Sequence, residues 1–164
     1  MPSQKASGES TVVYQFGLDP RSERLPLADG GSWAFFTGTF SGGGSGTLER
    51  LAVLRFEWDA DAGKIVNLLP FMAVTNASDR AMWTVPSASP YPILVRADFI
   101  WGDGETHFGQ HYYTVEVWRF EPQSDQYVKA FSYRTKRKYD GGDSKPVHVL
   151  SPERQEIERR LDAK

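Results

Sequence analysis

The chain has 164 residues, of which 40% are hydrophobic, 13% aromatic and 24% charged, and its formal net charge is −2. At about 150 residues per domain, this length indicates one domain with enough apolar residues for a sizeable core. The absence of cysteine excludes a disulfide scaffold, a zinc-thiolate site and thiol catalysis, and the apolar patterning excludes a disordered chain.

Residues 1–10 are polar and lack the apolar stretch of a secretory signal. We predict a disordered N-terminal segment over residues 1–10 and a single β domain over residues 11–164. The cellular compartment stays open: the protein is cytoplasmic if Met1 is its native start, and periplasmic or secreted if a leader was removed. No apolar run approaches the roughly 18 residues of a membrane helix, so we expect no membrane span.

Alternation of apolar and polar residues predicts strands along most of the chain. In chain order they cover residues 11–16, 33–40, 51–58, 64–69, 81–85, 93–101, 105–120 and 127–138. Residues 59–63 and 121–126 are rich in turn-forming side chains and predict two hairpin loops. Residues 41–46 contain only serine and glycine and indicate a flexible loop or linker.

The C-terminal segment departs from this pattern and predicts a helix over residues 152–162. Ser151 is a favourable N-cap, Pro152 suits the first helical position, and Glu153 lies near the positive end of the helix dipole. Ile157 and Leu161 are four residues apart and share one helix face. We therefore expect the helix to dock on the strands through these two side chains.

Eight or nine strands with mostly short loops and one terminal helix indicate an all-β fold, either an antiparallel barrel or a two-sheet sandwich. The tripeptide Gly31-Ser32-Trp33 opens a predicted strand. Together with a helix after the last strand, it resembles the arrangement in lipocalin-type barrels. The resemblance implies a barrel with a lipocalin-like outline and carries no implication about a ligand.

Charge is distributed unevenly along the chain. Residues 1–127 carry 9 basic and 15 acidic side chains, whereas residues 128–164 carry 10 basic and 6 acidic ones. The one basic cluster comprises Arg134, Lys136, Arg137 and Lys138, which would alternate between the two faces of a strand. We expect no nucleic-acid binding, because that function calls for a clearly basic domain.

Residues 101–113 contain two of the three histidines. With the predicted strand before them, they form the densest group of ionisable side chains in the chain. Asp103-Gly104 favours a two-residue type I′ turn. That turn would place five ionisable side chains on one face of the hairpin: Arg96, Asp98, Glu105, His107 and His111. The apolar residues Tyr113, Val115 and Val117 favour a different register, in which a three-residue turn directs Glu105 and the two histidines inward beside Trp101. A bulge at Gly109 would reconcile the two patterns.

Three interpretations of this group compete. The first is a solvated outer face with cross-strand charge pairs. The second is a divalent metal site for zinc, iron or manganese, because Glu105, His107 and His111 are oxygen and nitrogen donors. His107 and His111 are about 13 Å apart along a strand, so this site needs a bent strand. The third is a ligand pocket or acid–base site, in which a histidine beside a carboxylate exchanges protons near neutral pH.

The aromatic residues Trp101, Tyr112, Tyr113 and Trp118 flank this group and offer flat surfaces to sugars, lipids or proteins. Our hypothesis is a non-catalytic domain that binds a small amphipathic or carbohydrate ligand, or a partner protein, near residues 101–113. The predicted binding residues are Arg96, Asp98, Trp101, Glu105, His107, His111 and Tyr113. The alternatives are a metal-dependent or acid–base enzyme that uses Glu105, His107 and His111, and a purely structural interaction module. No cofactor other than this divalent metal is expected.

Overall fold

The computed structural model describes residues 18–41, 47–58, 62–70, 72–75, 79–143, 145 and 147–163. Predictions for residues 1–10, 11–16, 42–46 and 59–61 lie outside these ranges. The described ranges form ten strands and one helix: β1 (Leu18–Pro26), β2 (Ser32–Ser41), β3 (Thr47–Trp58), β4 (Gly63–Asn67), β5 (Met72–Thr75), β6 (Asp79–Trp83), β7 (Ile93–Ile100), β8 (Gln110–Glu121), β9 (Gln126–Arg134), β10 (Tyr139–Asp140) and α1 (Leu150–Asp162). They build two antiparallel five-stranded sheets, one of which is a half-barrel, so the predicted all-β fold with a short C-terminal helix is confirmed.

The first sheet has the strand order β1-β2-β3-β4, and β5 pairs with the N-terminal part of β3. The predicted hairpin of β3 and β4 forms, with Phe56 opposite Ile65 and Trp58 opposite Gly63. β1 was not predicted, because its sequence is polar and contains two prolines. It pairs only with β2 in the sheet order, and the side chains of residues 20–24 are exposed.

The second sheet has the strand order β10-β8-β7-β6, and β9 also pairs with β8. The predicted hairpin of β8 and β9 is confirmed, since Glu121 lies opposite Gln126. The strand predicted over residues 127–138 ends at Arg134, and Tyr139 then pairs separately with His111 as part of β10.

The register of β7 and β8 differs from the one that a tight turn at Asp103-Gly104 would give. A two-residue turn there would place Ile100 opposite His107. Instead, Ile100 lies opposite Tyr112 and Ala97 lies opposite Val115, so the register predicted from the turn is wrong. Shifting a strand by one residue turns every side chain to the other face. The observed register keeps the apolar residues of both strands on one face, and this burial outweighs the local turn preference.

Residues 101–109 therefore form a loop, and β8 begins at Gln110 instead of residue 105. The loop consists of two successive turns, in which Glu105 N–H donates to Gly102 O at 3.2 Å and Gly109 N–H donates to Thr106 O at 2.8 Å. Gly104 has a φ of 72°, whereas Asp103 keeps a negative φ, so the first turn is not of type I′.

One part of the core joins the two sheets. It combines side chains from β1, β2 and β3 with Leu94 of β7, Phe120 of β8 and Tyr127 of β9. Trp33 lies at its centre, with its ring stacked on Tyr91 at 5.2 Å and edge-to-face with Phe120 at 4.8 Å between centroids. The tryptophan that carries the resemblance to lipocalin-type barrels is therefore a buried packing residue.

The other part of the core lies between the second sheet and α1. Ile157 is fully buried among β7 and β8 side chains, and Leu161 packs against the same cluster, so the predicted docking of the helix is confirmed. The helix begins at Leu150 and not at residue 152. Its N-cap residue is therefore Val149 and not Ser151. Asp79 of β6 accepts hydrogen bonds from the backbone N–H groups of Val149 and Leu150.

Candidate functional site

Glu105 holds the loop of residues 101–109 in place. Its carboxylate accepts hydrogen bonds from the Lys138 ammonium at 2.6 Å and the Gly102 backbone N–H at 2.8 Å, and it lies 2.9 Å from His111 Nδ1. The hydrogen bond from Lys138, followed by those from Gly102 and His111, lowers the pKa of Glu105 to about 2. Glu105 thus remains a carboxylate that ties the loop to β8 and to the segment before β10.

His111 is fully buried, and both of its ring nitrogens have partners. Nδ1 lies 2.9 Å from Glu105 Oε2, and Nε2 lies 2.9 Å from the backbone oxygen of Thr106. Each ring nitrogen thus has a protein oxygen at hydrogen-bond distance, so neither is open to a metal ion. His111 lies on the apolar side of β8 and not on a solvated face, because it shares the parity of Tyr113 and Val115.

His107 does not join Glu105 and His111. Its ring packs edge-to-face against Phe99 at 5.6 Å and against Phe108 at 5.0 Å between centroids. No three histidine, aspartate or glutamate side chains come together as a possible metal site within the described ranges. The structure therefore joins two of the three predicted metal ligands and leaves the third among aromatic rings.

Arg96 and Asp98 belong to a separate ion network on the opposite side of the sheet from His111. Arg96 Nε lies 2.6 Å from Glu116 Oε2 on β8, and Arg96 Nη2 lies 3.4 Å from Asp98 Oδ2. Burial raises the pKa of Glu116, but Arg96 and Lys129 outweigh it and hold the pKa below its usual range. The five ionisable residues predicted to share one face are therefore divided between the two faces and the loop.

The predicted aromatic residues are also separated. Tyr113 is fully buried in the core beneath α1. Trp101 is 58% exposed on the loop of residues 101–109, and Phe108 on the same loop is 76% exposed. Tyr112 lies under Arg134, whose guanidinium carbon is 3.9 Å from the ring centroid.

A groove of about 800 Å³ runs between β1 and β2 of the first sheet and β6 of the second. Its lining also includes residues 107–108, 141–143, 145 and 147–148. Phe35, Met82 and Phe108 supply apolar surface. The charged side chains of the lining are Arg21, Glu23, Asp79, Arg80, Asp143 and Lys145.

One wall of the groove contains a buried pair of Asp79 and His148. His148 Nδ1 lies 2.9 Å from Asp79 Oδ1, while the other carboxylate oxygen accepts hydrogen bonds from the start of α1. His148 Nε2 lies 3.5 Å from the Tyr113 hydroxyl. Burial, with a smaller effect of the Asp79 and Asp140 charges, raises the pKa of Tyr113 to about 12, so this hydroxyl is protonated at neutral pH.

Sequence reasoning missed this pair and most of the groove. Asp79 and His148 are 69 positions apart, and neither belongs to a motif that would link them. The groove draws its walls from five separated segments, of which only residues 107–108 belong to the region singled out in the sequence.

The chain was compared with family models, with curated proteins and with solved structures, and no match was found in any of the three comparisons. Within the described ranges, no helix combines the length and apolar character that a membrane span requires.

Proposed function

We propose that the protein is a non-catalytic domain that binds a small amphipathic ligand in the groove between β1, β2 and β6. The observation that carries this proposal is the groove of about 800 Å³, which is lined by both apolar and charged side chains. Small-molecule sites commonly have volumes of roughly 300–1,000 Å³ and combine apolar walls with a few polar groups.

The walls favour an amphipathic ligand over a purely polar one. Phe35 and Met82 line the groove from the two sheets, and Phe108, which is 76% exposed, also belongs to its lining. A ligand with an apolar body would bury this ring and gain hydrophobic free energy. Lys145 also lines the groove. Its ammonium group lies 3.9 Å from Asp143 Oδ2, too far for a hydrogen bond, so it is available to a polar group of the ligand.

Binding is favoured over acid–base catalysis by the partners of Asp79 and His148. Asp79 holds the first backbone N–H groups of α1, and His148 Nε2 faces the hydroxyl of the buried Tyr113. Both side chains thus stabilise the wall of the groove, and His148 Nε2 is directed toward the core.

Titration with anilinonaphthalene sulfonate, an amphipathic anion that fluoresces in apolar sites, tests this proposal. We expect saturable binding of one molecule per chain. Phe108→Ala and Met82→Ala should each weaken binding about tenfold through the loss of apolar contact. Trp58→Ala is the matched control, because Trp58 is an 83% exposed aromatic residue on the β3–β4 hairpin and does not line the groove.

Two results would overturn the proposal. One is the absence of saturable binding by the folded wild-type chain. The other is loss of binding in Trp58→Ala together with unchanged binding in both groove variants, which would place the probe on the exposed hairpin.

A further inference from the structure

We propose that a second copy of this chain docks on the outer face of the β3–β4 hairpin and forms a two-fold dimer. Val53 and Val66 of these strands pack in the core between the sheets, so their neighbours along each strand point outward. These outward residues form the hairpin face, which comprises Leu54, Phe56, Trp58, Gly63, Ile65 and Asn67. The hairpin face contributes no residue to the groove.

The hairpin face exposes three large apolar side chains to solvent. Phe56, Trp58 and Ile65 are 46%, 83% and 62% exposed. Phe56 lies directly opposite Ile65, and Trp58 lies opposite Gly63. The Trp58 ring extends across β4, since a Cβ atom added at Gly63 would lie 2.8 Å from its Cζ3 atom. The three side chains therefore form one apolar patch that spans both strands.

The patch is large enough for the centre of a dimer interface. At about 200 Å² for a whole large apolar side chain, the exposed parts of its three members amount to roughly 400 Å². A stable interface buries about 800 Å² on each partner, with an apolar, aromatic-rich centre and a polar rim. The patch thus supplies about half of that area, and the polar side chains around it would supply the rim.

The charged side chains of the hairpin lie on the other side of the sheet. Arg55, Glu57 and Lys64 alternate with the residues of the hairpin face, and Arg55 donates two hydrogen bonds to Asp125 of the β8–β9 turn. The hairpin face itself carries no charged side chain. Two copies can therefore meet here without desolvating an unpaired charge, whereas a nucleic acid or an anionic membrane would find no cation.

The polar side chain of the hairpin face favours a protein partner over a carbohydrate. This side chain is Asn67, whose Nδ2 donates to the Leu69 carbonyl at 2.8 Å and whose Oδ1 accepts from the Leu69 backbone N–H at 3.2 Å. A sugar needs polar groups that bind its hydroxyls as well as an aromatic surface. The apolar face of a second copy needs none and can cover Asn67 without breaking these hydrogen bonds.

The shape of the hairpin face suits contact with itself. Trp58 at one end stands out from the sheet, whereas Leu54 at the other end is buried. A two-fold axis makes each copy present the same surface to the other. With the two hairpins antiparallel, Trp58 of each copy meets the low Leu54 end of the other, and the two pairs of Phe56 and Ile65 meet at the axis.

Sedimentation velocity of the full chain, from about 1 µM to about 200 µM, tests this proposal. We expect a monomer at the lowest concentration and a dimer at the highest, as for an interface of modest size. Ile65→Lys places a charge at the centre of the contact, and Trp58→Ala removes its largest ring. Each should raise the dissociation constant of the dimer at least about tenfold.

Trp101→Ala is the matched control, because Trp101 is an exposed tryptophan outside the hairpin face. It should change the dissociation constant less than about twofold. Urea unfolding at about 1 µM establishes that each variant is folded as a monomer.

The proposal is overturned if the folded wild type stays monomeric at about 200 µM, or if it forms assemblies larger than a dimer, because a two-fold contact closes. It is also overturned if a dimer forms that Ile65→Lys and Trp58→Ala leave unchanged, or that Trp101→Ala weakens equally. A neutral soluble glucan that binds the monomeric wild type and not Trp58→Ala would assign the hairpin face to a carbohydrate instead.

Discussion

The carboxylate of Asp79 lies 2.7 Å from the backbone nitrogen of Val149, seventy positions later in the chain, so an aspartate on β6 caps the helix that begins at the next residue. The same oxygen lies 3.1 Å from the nitrogen of Leu150, and the other oxygen lies 2.9 Å from His148 Nδ1. The first N–H groups of a helix have no hydrogen-bond acceptor within the helix. When these groups are buried away from water, they need an acceptor from elsewhere in the protein. Asp79 therefore joins the second sheet to α1 and fixes one wall of the groove.

Asp79→Ala is expected to lower the free energy of unfolding by about 2–3 kcal/mol. The substitution leaves two buried N–H groups and one imidazole nitrogen without their acceptor. Urea unfolding at neutral pH measures the loss, and far-ultraviolet circular dichroism reports whether helical content decreases.

Ser151→Ala is the matched control for this prediction. Ser151 is the N-cap that the sequence suggests, but the helix start has no side-chain cap from its own N-cap residue, and Ser151 is exposed. Its replacement should change the free energy of unfolding by less than about 0.5 kcal/mol. Equal losses in both variants would contradict the assignment of the cap to Asp79.

Alanine substitution of His111 should destabilise the protein much more than alanine substitution of His107. His111→Ala should lower the free energy of unfolding by about 3 kcal/mol, because it removes a fully buried ring together with its contacts to Glu105 and the Thr106 carbonyl. His107→Ala should cost less than about 1 kcal/mol, because that side chain is half-buried and has ring contacts only. Urea titrations of both variants test this order, and a larger loss for His107→Ala would contradict it.

Local patterns predicted the fold where burial and alternation agree. The alternation in residues 93–99 and 111–117 is sufficient to place these strands side by side with one apolar face. The turn preference of Asp103-Gly104 pointed to another register, which would have turned Val115 and Val117 away from the core. Burying the apolar side chains of two strands stabilises the fold more than one favourable turn would. The chain therefore adopts the register that buries them and connects the strands with a longer loop.

The candidate site was harder to predict because its members come from distant segments. The contact of Glu105 with His111 follows from their separation by six residues around one loop. The contact of Asp79 with His148 depends on where α1 docks on β6 and β7, which no local pattern specifies. The groove likewise depends on the arrangement of the two sheets, so its apolar lining from Phe35 and Met82 could not be inferred from alternation.

Glu105→Gln is expected to change how stability depends on pH. The pKa of Glu105 falls from an ordinary 4.5 to about 2 in the folded chain, chiefly through Lys138. A carboxylate with a lowered folded pKa contributes stability that is present above its unfolded pKa and is lost as the pH falls toward the folded value. The wild type should therefore exceed Glu105→Gln in stability at neutral pH, and this difference should shrink between about pH 4.5 and pH 2.

Urea unfolding of both proteins across that range provides the measurement. Glu121→Gln is a suitable control, because Glu121 lies at the opposite end of β8 from Glu105. A difference between wild type and Glu105→Gln that stays constant from neutral pH to about pH 2.5 would show that the carboxylate does not hold the loop as described.

Two buried tyrosines test how much the hydrogen bond of a hydroxyl group contributes to the free energy of unfolding. The Tyr127 hydroxyl donates to the Pro92 carbonyl at 2.7 Å, whereas the Tyr113 hydroxyl has His148 Nε2 at 3.5 Å, the limit of a hydrogen bond. Tyr127→Phe leaves a buried carbonyl without its donor and should cost about 1–2 kcal/mol of unfolding free energy. Tyr113→Phe removes only the long contact and should cost less than about 0.5 kcal/mol. Urea unfolding compares the two variants, and a loss for Tyr113→Phe as large as that for Tyr127→Phe would mean that His148 and Tyr113 are coupled more strongly than their separation indicates.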